Sequence, residues 1–219
     1  MRFTPSEEAS FRYGVVLVVA FAAVVLLTLL PDSRGAKLAG LVLITLMLVV
    51  AVVTGRGGAV LRGGTVVVAI VGGTAAMATI AVEEAPSWVG AAIGAALLCG
   101  TIGELVVGLA RLLRERGVTI QAVFGALAVY LLLGLFFTFV VSAAAHAGSS
   151  DYFAQGTDGS ESQRVYYVFT TMTTTGYGDL TPAHAFGRTV SVVSMLVGQI
   201  YLVTVIAMLV GNLRRHRAS

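Results

Sequence analysis

Long apolar runs separated by short polar loops dominate the chain. Six runs, rich in Val, Leu, Ala and Gly, approach the roughly 17 to 25 residues needed to cross about 30 Å of hydrocarbon. They cover approximately residues 13–30, 38–53, 65–82, 88–110, 118–145 and 189–213, the second being short. The pattern predicts an all-α membrane protein with six transmembrane helices. No small-x-small cleavage site follows the first run before Pro31, so we expect this run to be retained rather than removed as a signal peptide.

The composition agrees with a bilayer location. Hydrophobic residues make up 57% of the 219 residues and charged residues 11%, which leaves more apolar surface than a soluble domain of this length could bury. The single cysteine, Cys99, excludes an intramolecular disulfide, and we expect it to be a small packing residue.

The basic residues predict the orientation of the helices. With a cytoplasmic N-terminus, ten of the 14 Arg and Lys residues fall inside, and Arg34, Lys37, Arg164 and Arg188 fall outside. Positive residues concentrate on the cytoplasmic side of membrane proteins. We therefore expect an integral protein of a prokaryotic plasma membrane, in contact with lipids, with both termini cytoplasmic. The net charge of +3 is explained without a nucleic-acid partner.

The connection between the fifth and sixth runs differs from the other loops. A polar stretch, "HAGSSDYFAQGTDGSESQ", is expected to be a solvated outer loop. Ser160 and Gln163 have the spacing of a capping box, which predicts a helix from about Glu161 to Met172. Such a helix would be only about 18 Å long, too short to span a membrane. We therefore predict a re-entrant helix.

The next residues, "TTTGYGD", combine threonines with two glycines. Non-helical backbone at membrane depth is tolerated where it is buried in protein or lines water. Glycine permits positive φ angles, and alternating left-handed and right-handed conformations would point successive carbonyl oxygens to one side. Copies of such a strand around an axis would line a narrow pore with oxygen, a ligand suited to a dehydrated alkali cation.

This segment, preceded by "YYVFTTM" and followed by "LTP", resembles the pore helix and selectivity filter of six-transmembrane, one-pore potassium channels, whose filter usually reads Thr-Val-Gly-Tyr-Gly-Asp. The resemblance covers residues 118–213. It implies a homotetramer that conducts K+ passively through a central pore. K+ is then the permeant ion, no organic cofactor is expected, and the chain is not expected to be an enzyme.

The resemblance also implies roles for four ion-coordinating residues. Thr174 would supply its carbonyl and its hydroxyl at the inner end of the filter. The carbonyls of Thr175, Gly176 and Tyr177 would form the successive oxygen rings. The departure from the family is Thr175, where valine is commoner; its hydroxyl adds a polar group behind the filter that could change filter stability or selectivity.

Further residues would support the filter. Gly178 would relax the backbone at the outer mouth. Asp179 would concentrate cations there and bond to Tyr166 or Tyr167 of the pore helix. Gly198 has two interpretations, a flexible gating hinge in the sixth helix or a close contact between helices.

The chain divides into three parts: a four-helix membrane domain at residues 1–117, a pore domain at 118–213 and a short basic cytoplasmic tail at 214–219. The fourth run has no basic residue before Arg111 and Arg114 at its cytoplasmic end, so we do not expect a conventional voltage sensor. Glu104 is an intramembrane carboxylate with two interpretations: a modulatory site, or a residue near the inner interface that is paired with one of those arginines or reached by water.

Two alternatives to a potassium-selective channel remain at the level of sequence. One is a weakly selective cation channel in which Thr175 loosens the filter. The other is a polytopic transporter or enzyme that uses Glu104, although one carboxylate does not make a relay. The sequence leaves the gating stimulus open.

Overall fold

A computed structural model of the chain describes residues 5–29, 42, 45, 72–74, 87–209 and 211. The helices predicted at 38–53 and 65–82 lie almost entirely outside these residues. The described helices are α1 (Pro5–Leu29), α2 (Ser87–Arg116), α3 (Ile120–Ala147), α4 (Glu161–Met172) and α5 (Ala185–Ile200). A π-helical segment, Tyr201–Ile206, continues α5.

Three of the described helical stretches are long and apolar enough to cross a membrane: Trp88–Arg116, Ile120–Ala147 and Ala185–Leu209. Within α1, Tyr13–Leu29 is a shorter apolar helix. Four of the six predicted runs are therefore helical, and isolated bridges are the only β-pairing in the described part of the chain. An all-helical protein with membrane-spanning helices is confirmed to this extent.

A three-residue connection joins α2 to α3. Gly117 has φ +68°, the left-handed conformation that commonly ends a helix, and its N–H donates to the carbonyl of Leu113 at 3.0 Å. The Thr119 hydroxyl then accepts from the N–H of Ala122 at 3.3 Å and caps α3. So short a connection makes α2 and α3 antiparallel neighbours.

The core forms around α3, which is the most buried of the three long helices. α1 and α2 both pack against α3, and small residues allow close approach. A Cβ on Gly125 of α3 would lie 3.0 Å from the ring of Tyr13 of α1, and Gly94 of α2 faces Phe139 at even shorter range. α1 also contacts α4, so the N-terminal helix packs on both the central helix and this short helix.

α4 packs between α3 and α5 through two further glycines. The ring of Phe169 on α4 lies over Gly134 of α3, and Met172, fully buried at the end of α4, lies against Gly198 of α5. A Cβ on Gly198 would be 2.8 Å from the Met172 carbonyl oxygen. The position of α4 therefore depends on backbone-level contact with both neighbouring helices.

The π-helical segment lies just after this contact. Tyr201, its first residue, donates a hydrogen bond from its hydroxyl to the carbonyl of Ala126 on α3 at 2.9 Å, and its ring stacks on Tyr130 with centroids 6.2 Å apart. The change in helical pitch thus coincides with a firm connection between α5 and α3.

We predict that Gly198→Ala lowers the stability of the protein by about 1–3 kcal/mol, because the new methyl group would collide with a backbone oxygen that cannot move independently. The melting temperature of the detergent-solubilised protein measures this effect. Gly100→Ala on α2 is the matched control, since a Cβ there meets nothing within 4 Å. Equal melting of both variants would contradict the packing role of Gly198.

Candidate functional site

Residues 173–179, here called the TGYG segment, connect α4 to the loop that leads into α5. Positive φ angles recur at every second position: +59° at Thr174, +51° at Gly176 and +82° at Gly178. Thr174 is the one non-glycine residue with a positive φ among the described residues. The glycines predicted this alternation of positive and negative φ. It also includes Thr174, for which a positive φ is sterically unfavourable.

Four consecutive N–H groups of the TGYG segment donate to the last carbonyls of α4. The bonds run from Thr173 to Phe169 (3.0 Å), from Thr174 to Thr171 (3.0 Å), and from Thr175 and Gly176 to Thr170 (2.8 and 3.1 Å). They satisfy carbonyls that would otherwise lack partners at a helix end. In a trans peptide the N–H of one residue is opposed to the carbonyl of the residue before it, so the carbonyls of residues 173–175 point away from α4.

Tyr166 supports the outer end of the segment. Its ring stacks in parallel on Tyr177, with centroids 6.0 Å apart and an interplanar angle of 4°. Its phenol also interacts electrostatically with the Asp179 carboxylate. Tyr167, the other predicted candidate, is buried and bonds instead to the hydroxyl of Ser191 on α5. The two residues that the sequence left as alternatives therefore have different surroundings: Tyr166 lies beside the TGYG segment, and Tyr167 contacts α5.

The loop before α4 pairs with the chain that follows the TGYG segment. The N–H of Ala154 donates to the backbone carbonyl of Thr181 at 2.8 Å, and the N–H of Ala183 donates to the backbone carbonyl of Tyr152 at 2.9 Å. The expectation of a wholly solvated loop is wrong here, because Tyr152 and Phe153 are only 6% and 1% exposed. Two adjacent aromatic residues inside a polar stretch were the signal that could have revealed this burial.

Phe153 is the centre of a small aromatic cluster. Its ring meets those of Tyr152 and Tyr167 edge to face, each at a centroid distance of 5.0 Å. Burial, and then the neighbouring Tyr167, raise the pKa of the Tyr152 phenol, which therefore stays neutral at physiological pH. The cluster links the outer loop to α4.

Arg164 forms a buried polar network at the start of α4. It is 4% exposed, pairs with Glu161 at 3.1 Å, and donates to the Ser142 hydroxyl at 3.3 Å and to the Asp158 carbonyl at 3.0 Å. The distribution of basic residues predicts Arg164 on the outer side, and nothing in the sequence indicates that it is buried. Its partners come from α3, α4 and the outer loop, so it joins all three.

Gly198 and Glu104 lie away from the TGYG segment itself. Gly198 contacts Met172, as its helix-contact interpretation requires. Glu104 is half-buried on α2, which packs on α3, and the structure gives it no ion pair with Arg111 or Arg114. No group of three His, Cys, Asp or Glu side chains that could hold a metal occurs in the described ranges.

Residues 125–215 match the family model described as "Ion channel". The match begins within α3 and includes α4, the TGYG segment and α5. No curated protein and no solved structure matches the chain. The family match supports an ion-channel pore domain in this part of the chain and, together with the three long apolar helices, an integral membrane protein.

We predict that Phe153→Ala destabilises the protein by about 3–5 kcal/mol, because it empties a fully buried position in the aromatic cluster. Thermal unfolding and the rate of proteolysis in the outer loop measure the effect. Gln155→Ala is the control: it removes exposed side-chain hydrogen bonds to Thr181 and should cost less than about 1 kcal/mol. Similar losses in both variants would mean that the cluster does not anchor the loop.

Proposed function

We propose that the chain is one subunit of a potassium-selective channel, in which four copies place their TGYG segments around a common axis. The observation that carries the proposal is the alternation of positive φ at Thr174, Gly176 and Gly178. Alternation aligns consecutive carbonyls, and in potassium channels rings of such carbonyl oxygens replace the hydration shell of K+. The family match supports an ion channel. The backbone geometry and the sequence of the TGYG segment support K+ as the ion that it conducts.

The hydrogen bonds to α4 support this assignment. The N–H groups of Thr175 and Gly176 are engaged with α4, so the carbonyls of Thr174 and Thr175 face the opposite side. The carbonyls of Gly176 and Tyr177 continue the row in the proposed filter. A cation on that side meets oxygen atoms without competing N–H donors.

A fourfold homotetramer would cover surfaces that a single subunit leaves exposed. Residues 173–179 are all exposed on the single chain, although irregular backbone within a membrane must be covered by protein or line water. The helix formed by α5 and the π-helical segment is the least buried of the long helices, and it leaves Val192, Leu196 and Val203 exposed. Cyclic symmetry would place these surfaces against neighbouring copies, against lipid or along an inner cavity.

The outer mouth carries acidic charge suited to cations. Asp179 is exposed at the end of the TGYG segment, and its Oδ1 accepts the N–H of Leu180 at 3.1 Å. Four such carboxylates around one axis would raise the local cation concentration. Stacking of Tyr166 on Tyr177 holds the strand beside them.

Residues 1–117 act in this proposal as a membrane scaffold, with no conventional voltage sensor. In α2 the basic residues are Arg111, Arg114 and Arg116, all in its last two turns. Each charge that crosses the field contributes about 2.3 kcal/mol per 100 mV, so strong voltage coupling would need several charges along the span. The cytoplasmic position of both termini belongs to the same proposal.

Selectivity is tested with purified protein in planar bilayers under opposed potassium and sodium gradients. We expect the reversal potential to follow the potassium equilibrium potential, because the carbonyl rings replace the hydration of K+. A reversal near the sodium equilibrium potential, or near zero, would instead identify a different or weakly selective cation channel.

Gly176→Ala should reduce potassium current at least about tenfold, because a side chain at φ +51° costs roughly 1–2 kcal/mol in every subunit of the filter. The bilayer currents are normalised to the amount of assembled protein. Gly156→Ala is the matched control: it imposes φ +74° in the exposed outer loop, where a Cβ meets nothing. If both variants conducted alike, the TGYG segment would not be the conduction pathway.

Potassium should also stabilise the assembled protein more than sodium does, because ions shared between subunits favour assembly by ligand linkage. Saturation at about 100 times the dissociation constant contributes about 2.7 kcal/mol. Heating the detergent-solubilised tetramer in each salt at equal ionic strength measures the difference. Identical melting in both would count against ions bound between subunits.

A further inference from the structure

The side chains of Thr173 and Thr175 meet on the α4 side of the TGYG segment. Their hydroxyl oxygens are 2.9 Å apart, although the two residues lie on either side of Thr174 in the chain. The Thr173 hydroxyl is also 2.7 Å from the carbonyl oxygen of Phe169 on α4. Three oxygen atoms thus form a continuous line from the TGYG segment to α4.

The directions of these hydrogen bonds follow from counting protons. A carbonyl can only accept, so the Thr173 hydroxyl uses its one proton on Phe169. The proton between the two threonines must then come from Thr175. The resulting chain, Thr175 Oγ1–H to Thr173 Oγ1–H to Phe169 C=O, is here called the threonine tie.

We propose that the threonine tie clamps Thr174 in its left-handed conformation and thereby sets how long the filter keeps its conducting shape when the permeant ion is withdrawn. The proposal rests on the channel function argued above and adds a positioning role to the Thr175 side chain. The carbonyl of Thr175 coordinates the ion, whereas its hydroxyl stabilises the neighbouring residue.

The clamp is needed because Thr174 carries backbone strain. A β-branched residue at φ +59° is sterically unfavourable and persists only where its surroundings hold it. A bond between the side chains before and after Thr174 restricts rotation of both peptide units that flank it. Without an ion between them, the aligned carbonyl dipoles of four strands repel each other, and Thr174 is the position whose relaxation to negative φ relieves strain.

The tie argues against the idea that Thr175 loosens the filter. An added hydroxyl weakens a packed site when it lacks a hydrogen-bond partner. Here the Thr175 hydroxyl has a partner at 2.9 Å, and that partner is itself anchored on α4. Valine at this position would keep the shape of the side chain and lose the bond.

The experiment follows bilayer currents after potassium on both sides is replaced by N-methyl-D-glucamine for varied intervals and then restored. We expect Thr175→Val and Thr173→Val each to lose recoverable current about three- to tenfold faster than the wild type, the range that one hydrogen bond allows. The double variant should lose it no faster than the faster single variant, since either substitution already breaks the tie.

Two controls separate the tie from general damage. Thr175→Ser keeps the hydroxyl and should keep the wild-type rate of current loss. Thr189→Val removes a hydroxyl that bonds within α5, to the Ala185 carbonyl at 3.0 Å, and should also leave the rate unchanged. If Thr175→Val fails to assemble, the comparison of Thr173→Val with Thr189→Val tests the same chain of bonds.

The proposal is overturned if both single valine variants keep the wild-type rate, if Thr175→Val retains current longer than the wild type, or if the two substitutions act multiplicatively. Reversal potentials of the wild type, measured in the same bilayers, test the proposed function separately. A wild type that reverses away from the potassium equilibrium potential refutes potassium selectivity. The rate comparison still tests the tie with whichever cation the channel conducts.

Discussion

Backbone hydrogen bonding at the carboxyl end of α4 is the constraint on which the candidate site depends. The carbonyls of Phe169, Thr170 and Thr171 need donors, and the next residues provide them from their N–H groups. Because a trans peptide opposes its two polar groups, this arrangement aims the carbonyls of the TGYG segment away from the helix. The same hydrogen bonds therefore end α4 and orient the carbonyl oxygens of the TGYG segment. The positive φ angles allow the backbone to make these bonds.

The remaining contacts hold α4 in the position where the TGYG segment can bond to its last carbonyls. At its start, the buried Arg164 fixes α4 to α3 through the Ser142 hydroxyl and to the outer loop through the Asp158 carbonyl. Its ion-pair partner Glu161 has a side chain that is 34% exposed, so solvent screens the pair and its contribution to stability is small. At its end, Met172 rests on Gly198 of α5. Polar contacts at the start and close packing at the end thus hold a helix only 12 residues long, from which the irregular backbone continues.

The sequence predicted those parts of the site that have local causes. The capping box of Ser160 and Gln163 is confirmed, with α4 beginning and ending where expected, because capping depends on residues three apart. Burial of Arg164 depends on partners from distant segments and has no local signal, whereas burial of Phe153 is indicated only by the adjacent aromatic residues in a polar stretch. α5 begins at Ala185, four residues before the predicted apolar run, because residues 185–188 are helical without being uniformly apolar. The alternation at the glycines was expected, whereas its extension to Thr174 required the hydrogen bonds to α4.

The π-helical segment changes how the helix after Gly198 presents its side chains. A π-turn takes up an additional residue, so residues beyond Ile206 are rotated by about 100° from the positions that an uninterrupted α-helix would give them. Val192 and Met208 would lie about 160° apart around an uninterrupted α-helix, and the additional residue brings them to about 60° apart. Any scan that assigns residues of this helix to water, lipid or a neighbouring subunit must use one angular register before Tyr201 and another after Ile206.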